Sequence, residues 1–337
     1  SGSAQVWRIR IDGGEAQQVT KLPLDVGNLV ISPSGEMLAF TMEVFPGTTP
    51  EETAAKLEAV QKSKATGQIY EKLFVRHWDT WSDGRRSHLF VMPRAGGEAK
   101  DLMPAMDADT PSKPFGGPEE IAFTPDGKGL VFTARDAGRE EAWSTDFNLF
   151  YVPADGSAPP RSLTETNKAW DTTPAFSPDG KILAYLAMKR PGYESDRFRI
   201  VLRPWPEGRE RVLTESWDFS VASFRWTPDG AKILATAPNK GQTSLFAIDV
   251  KTGDVETIVE MGSVNGFAPV AAGDRIIFER HTLKSPVEIF SVKPDGSDEQ
   301  PITQINAAKI AAAKMGDYEQ FTFKGWNNET VYGYIVK

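Results

Sequence analysis

The sequence predicts an all-β fold, a β-propeller of four-stranded antiparallel blades, and three observations carry that prediction. A turn motif recurs as Ser32-Pro33-Ser34-Gly35, Thr124-Pro125-Asp126-Gly127, Ser177-Pro178-Asp179-Gly180 and Thr227-Pro228-Asp229-Gly230. Each copy runs directly into apolar residues, at 37–40, 130–132, 182–185 and 233–235. A second turn, built on Gly13-Gly14, Gly96-Gly97, Gly156, Gly208, Gly253 and Gly296, follows in phase and leads to a short strand ending in Leu-Thr or an equivalent. Pro presets φ at the second turn position and Gly accepts the positive φ after it, so both motifs join neighbouring strands. Pro125, Pro178 and Pro228 are 53 and 50 residues apart. Four short strands per repeat of that length make a propeller blade.

Taken in order, residues 5–20 carry only the second turn and form half a blade. Five complete blades follow, at about 27–102, 119–164, 172–214, 220–259 and 264–303. In the last of these the first turn has decayed to Ala272-Gly273-Asp274. The half-blade needs two further strands, from a longer N-terminus or from the other end of the chain. A start at Ser-Gly-Ser-Ala without Met favours a trimmed N-terminus.

Two segments depart from the repeat. Pro33 and Pro125 are 92 residues apart, too far for one blade. The excess contains Thr49-Pro50-Glu51-Glu52, which reads as an N-cap, an N1 proline and a capping-box glutamate. A helical insertion is therefore expected at about 50–66, with Ala54, Leu57 and Val60 as a narrow apolar stripe. At the other end, 307–315 is Ala-rich and helix-prone. Residues 319–323 and 329–336 form a hairpin across Asn327-Asn328, which suit positive φ. The domain reading is a propeller over 1–304, then a linker helix and hairpin over 305–337.

Bulk properties exclude several classes. A net charge of −8 and a pI near 5.2 argue against a nucleic-acid partner. No window of 18 apolar residues could span a membrane. The absence of Cys excludes disulfides and thiolate metal sites, and it fits either cytoplasm or periplasm. There is no Gly-x-Ser-x-Gly, His-Glu-x-x-His, P-loop or dinucleotide motif. Only three histidines are present, His77 and His88 within 27–102 and His281 within 264–303, too few and too scattered for a metal site or a triad. No catalytic residue, metal or cofactor is expected in this chain.

Two stretches are denser in functional groups than a blade requires. Residues 76–86 read either as a hairpin turning at Ser82-Asp83-Gly84, with Trp78 and Trp81 capping an apolar layer, or as a ligand-facing rim bearing Arg76, Trp78 and Asp79. Residues 139–146 lie between the second and third strands of a blade. They read either as a solvated acidic loop or as a site where Glu140 and Glu141 meet a cationic group such as a peptide α-ammonium. Trp143 would floor that site through cation–π contact. Trp170, Trp217 and Trp226 read as blade-packing residues.

The Pro-Asp-Gly blades, the stretch Leu73-Phe74-Val75-Arg76-His77-Trp78-Asp79-Thr80-Trp81, the run 140–145 and the tail 323–337 resemble the prolyl oligopeptidase family. The likeness is greatest to its bacterial dipeptidyl peptidases and acylaminoacyl peptidases. This resemblance implies a propeller, seven-bladed when intact, that covers an active site and admits short peptides. It implies that the tail hairpin opens an α/β-hydrolase domain carrying the Ser-Asp-His triad. In the dipeptidyl branch a Glu pair on the propeller anchors the substrate's free N-terminus, a role that transfers to Glu140 and Glu141. The implied partners are short peptides and the hydrolase domain, in the same parent chain or as a cleaved partner. A homodimer is compatible, and the expected compartment is the periplasm or outside the cell, with the cytoplasm as the alternative. The competing reading is a TolB-like or WD-repeat-like propeller that binds proteins without catalysis.

Overall fold

A computed structural model describes residues 3–337. The chain divides into two compact units. The first runs to Phe176 and includes Tyr185–Asp196; the second comprises Ser177–Ala184 and Arg197–Lys337. The fold is an all-β propeller with few helices.

In the first unit, Trp7–Arg8 pairs with Gln17–Gln18. A four-stranded antiparallel blade follows, Gly27–Ile31, Met37–Val44, Arg86–Pro93 and Lys100–Asp101. The next is Ile121–Phe123, Gly129–Ala134, Asn148–Pro153 and Arg161–Ser162. Both faces of the inner strands are buried: Leu38, Phe40, Met42 and Val44 join one apolar cluster while Ala39, Leu89 and Val91 join another with the following blade. Two-sided burial explains why these strands read as continuous apolar runs instead of alternating ones. Each fourth strand is only two residues long and polar, which leaves little edge for unwanted pairing.

In the second unit, Arg199–Pro204 pairs with Arg211–Val212. The last two blades are Ser223–Trp226 through Val255–Val259 and Ser263–Pro269 through Gln300–Pro301. A single parallel bridge, Thr243 to Ser263, joins them into one extended ladder. The decayed turn still works, with Gly273 at φ 76° and Val270 N–H donating to Arg275 O at 2.9 Å.

The first turn is built the same way in every copy. The glycines Gly35, Gly127, Gly180 and Gly230 stand at φ 69–72°, as the sequence requires. The Ser or Thr ahead of Pro also has a role: its hydroxyl accepts from the backbone N–H five residues on, at 2.9–3.0 Å. In the three Asp copies the same hydroxyl donates to the Asp carboxylate at 2.6–2.7 Å. That carboxylate in turn accepts from the N–H two residues ahead. Asp126 is held below its ordinary pKa of 3.8 by these bonds, that from Thr124 foremost. The Leu-Thr ending has a matching explanation. Thr164, Thr214 and Thr303 each accept through Oγ1 from a third-strand N–H, that of Leu149, Ile200 and Ile289 in turn, at 2.8–3.0 Å. Thr20 does the same for Val6 at 2.8 Å, which marks residues 5–20 as the outer half of a blade.

The insertion is a helix, Pro50–Lys62, with a complete capping box: Glu52 N–H donates to Thr49 Oγ1 and Thr49 N–H to the Glu52 carboxylate. Ala54 and Leu57 pack on the blade, while Val60 remains in solvent, so the stripe is shorter than expected. The C-terminal helix is also shorter, Ala307–Ala312. The hairpin forms as read, Tyr318–Lys324 against Thr330–Val336, with Asn327 and Asn328 both at positive φ. Among the described residues no helix is long and apolar enough to cross a membrane.

Candidate functional site

Residues 73–81 do not turn where the sequence suggested. The hairpin is Arg76–His77 against Thr80–Trp81, and it reverses at Trp78-Asp79 with Trp78 at φ 46°. Ser82-Asp83-Gly84 instead leads into the blade, its Asp83 carboxylate engaged by Arg85 at 2.8 Å. The two tryptophans cap no apolar layer. Trp78 is 67% exposed, in tilted ring contact with His77 (4.8 Å) and Phe115 (5.7 Å), and Trp81 is 60% exposed beside Tyr70. Arg76 donates to Trp78 O and lies 5.8 Å over Trp81, and Asp79 is exposed. By contrast Trp170 stacks on Phe147 at 4.4 Å, Trp217 on Phe219 at 5.2 Å, and Trp226 is buried.

The acidic loop is built more firmly. Gly138–Glu140 forms one 3₁₀ turn, and Glu140 O accepts from the N–H groups of Trp143 and Ser144 at 3.0 Å. This reversal sends the adjacent carboxylates into different surroundings. Glu140 is exposed. Glu141 is 8% exposed and receives a two-pronged bond from Arg86, at 2.9 and 2.6 Å. Arg86 opens the third strand of the preceding blade and also binds Asp107 and Asp109, each at 2.8 Å. Lys113 closes the network between Asp109 (2.9 Å) and Glu43 (2.8 Å). Burial pulls the Arg86 guanidinium down, but Glu141, Asp109 and Asp107 together outweigh it and hold its pKa above the ordinary value. Glu141 is therefore already matched by a cation, and the sequence contained no local sign of it: the partner lies 55 residues away.

Beyond Glu141 an open cleft of about 250 Å³ begins, lined by Phe74, Arg135, Trp143, Tyr193 and Glu194 among others. Arg135 donates to Ser144 O at 2.6 Å, lies 4.4 Å over Phe147 and 5.9 Å from Phe74, and sits 3.9 Å from Glu141. Burial dominates its electrostatics and lowers its pKa. Trp143 is 69% exposed on the cleft wall. The opposite chain segment, residues 189–196, was not singled out in the sequence. The Asp196 carboxylate accepts from Lys189 and Arg190 N–H at 2.7 and 2.8 Å, and Gly192 N–H donates to Thr145 Oγ1 at 2.8 Å. The only early sign was its Pro-Gly pair, which marks a loop. Of the residues the sequence nominated, Trp143 lines this cleft; Glu140, Glu141, Arg76, Trp78 and Asp79 do not, and the 73–81 stretch enters it through Phe74. Among the described residues no group of His, Asp and Glu is placed to hold a metal ion.

Comparison with known proteins sets this geometry in context. Dipeptidyl-peptidase 5 of Porphyromonas gingivalis is 28% identical over 288 residues, covering 84% of this chain and 41% of its own length. The acylaminoacyl peptidase of Pyrococcus horikoshii superposes with a TM-score of 0.71 at 15% identity, over 99% of this chain and 47% of that one. The chain belongs to the prolyl oligopeptidase family. The β-propeller domain of the Trilobed protease from Pyrococcus furiosus shares the fold at 12% identity, with a TM-score of 0.57 over 90% of this chain and 74% of that one. No model of a protein family matches the chain. The chain spans less than half the length of the prolyl oligopeptidase-family relative from P. gingivalis.

Proposed function

We propose that this chain is the substrate-binding propeller of a serine exopeptidase that releases dipeptides from free peptide N-termini. The observation that carries the reading is the split pair at Glu140-Glu141. One carboxylate is buried and neutralised by Arg86, and the other is left in solvent two residues ahead of the cleft wall. A peptide α-ammonium reaching that turn finds Glu140 without an ion pair among the described residues, and a charge-assisted hydrogen bond to it is about twice as strong as a neutral one. Glu141 and Arg86 act as the brace that fixes the turn.

The catalytic triad is supplied by an α/β-hydrolase domain that the tail hairpin opens. Support comes from the hairpin's two faces. Tyr334 and Gln320 hydrogen-bond Lys240 O on one side, at 3.1 and 3.2 Å. The other side, by strand alternation, carries Phe321, Phe323, Val331 and Ile335, all exposed. An apolar sheet face of this kind requires a covering layer.

The test uses the full-length gene product and dipeptidyl fluorogenic amides. Glu140→Gln raises KM for substrates with a free amine about tenfold, the scale of a lost hydrogen bond to a charged group. It leaves N-acylated analogues less affected. Equal effects on both substrate classes would contradict the reading.

A further inference from the structure

The chain contains one Asn-Gly pair, Asn265-Gly266, and the other seven asparagines all precede a residue with a side chain. The side-chain amide of an asparagine is open to attack by the backbone nitrogen of the next residue, and glycine leaves that nitrogen least hindered. Inside a strand the reaction depends on how firmly the backbone is paired. The strand Ser263–Pro269 runs antiparallel to Ile276–Thr282, with Val264 opposite Arg280 and Phe267 opposite Phe278. Asn265 and Gly266 therefore face the single residue Glu279 across a bulge. A bulge leaves its extra residue out of the ladder and bends the strand, so the pair sits where the backbone is least constrained.

The side chain also faces a proton source. Asn265 is exposed, and its Nδ2 lies 3.3 Å from His281 Nδ1 on the neighbouring strand. An amide nitrogen leaves poorly because its lone pair is delocalised into the carbonyl. Attack at Cγ ends that delocalisation and turns Nδ2 into a basic amine, with the imidazole already beside it. The bulge has room for a control substitution: a Cβ at Gly266 would meet only Glu279, its nearest atom Oε2 at 3.5 Å, an ordinary contact.

We propose that Asn265-Gly266 is a self-modification site, where His281 assists conversion of the asparagine to aspartate and isoaspartate. The Gly266 nitrogen bonds to Asn265 Cγ and gives its proton to water. His281, in its protonated form, passes a proton from Nδ1 to Nδ2; the Cγ–Nδ2 bond breaks and ammonia leaves. Water then opens the cyclic imide at either carbonyl, which yields aspartate or isoaspartate with no change of oxidation state. Both products place a new carboxylate in the strand that faces His281, and isoaspartate lengthens the backbone where the bulge already holds an extra residue. This chemistry needs no peptide substrate and stands apart from the peptidase function proposed above.

The experiment incubates the folded full-length gene product at neutral pH and follows the peptide that contains residue 265 by mass spectrometry. Isoaspartate is counted separately by carboxyl-methyltransferase labelling. Residue 265 converts at least about tenfold faster than the other seven asparagines, since only its neighbour lacks a side chain. Gly266→Ala, whose methyl group the bulge accepts, slows the conversion at least about tenfold. His281→Ala slows it about tenfold, less than the ~10²–10⁴ of an enclosed proton donor because the contact is exposed. His281→Gln, which still bonds Asn265 but supplies no acidic proton, slows it equally. An amide that persists at 265 in the folded protein, while a free peptide of residues 260–270 converts, overturns the inference. A rate that both His281 variants leave unchanged overturns the role given to His281.

Discussion

Asp126 and Glu141 lie in successive loops of one blade, and they are held in opposite ways. Asp126 is bonded by its own neighbours, Thr124 Oγ1 at 2.7 Å and Lys128 N–H at 3.0 Å, in a turn that closes within six residues. Glu141 takes its bonds from Arg86, in another blade, and Arg86 is shared with Asp107 and Asp109. The first arrangement is local, solvent-facing and repeated; the second is buried, charged and built once. The difference shows where each kind of loop is strong. A local turn loses one repeat's worth of order when cut, while a buried ionic hub leaves several charges stranded when its centre is removed.

Arg86→Met is the sharpest way to break this comparison. It takes the two-pronged partner from buried Glu141 and leaves Asp109 to Lys113 alone, at a cost of about 3–5 kcal/mol in denaturant unfolding. A loss under about 1 kcal/mol would mean that the hub is not holding those carboxylates. Next in size is Thr124→Val, which removes the hydroxyl that accepts from Gly129 N–H and leaves that buried donor unpaired. The expected cost is about 1–3 kcal/mol by the same measurement. A loss equal to that of Arg86→Met would erase the distinction between the two loops.

The smallest effect is in pH. The folded pKa of Asp126 lies below its ordinary 3.8, so its stabilisation is present above that value and is lost as pH falls through the folded pKa. Glu120 is the reverse case. Burial raises its carboxyl above the ordinary 4.5 despite bonds from Ser112 N–H (2.6 Å), Ser112 Oγ (2.7 Å) and Thr172 Oγ1 (2.9 Å). Its folded state binds the proton more readily, so the protein gains stability from this group as pH falls through the raised value. Urea midpoints across the acid range should show the native protein's margin over Asp126→Asn shrinking as pH drops, and its standing against Glu120→Gln improving. Parallel trends would contradict the assignment.

These contrasts also explain what the sequence could and could not disclose. Features that depend on backbone dihedrals and near neighbours were readable. They include the positive φ of Gly127 and Gly230, the Thr49 capping box, the Asn327-Asn328 reversal, and the blades at 27–101, 121–162, 223–259 and 263–301, each bounded within a few residues of its expected limits. The turn at Trp78-Asp79 was missed because a Trp at positive φ runs against intrinsic preference, and Ser82-Asp83-Gly84 looked better suited. The fate of Glu141 was hidden for a different reason: an acidic pair carries no mark of which member finds a distant arginine. The Tyr193 loop became part of the site only through its tie to Thr145, 47 residues earlier.

A propeller that reads a free peptide N-terminus for its enzyme must distinguish an amine from an amide at that end. The most direct measurement compares kcat/KM of the full-length gene product on one dipeptidyl amide and on its N-acetylated form. The free amine is expected to be preferred by at least about tenfold, since acetylation removes the cation that Glu140 would bind. Equal rates, or a preference for the acetylated form, would contradict it.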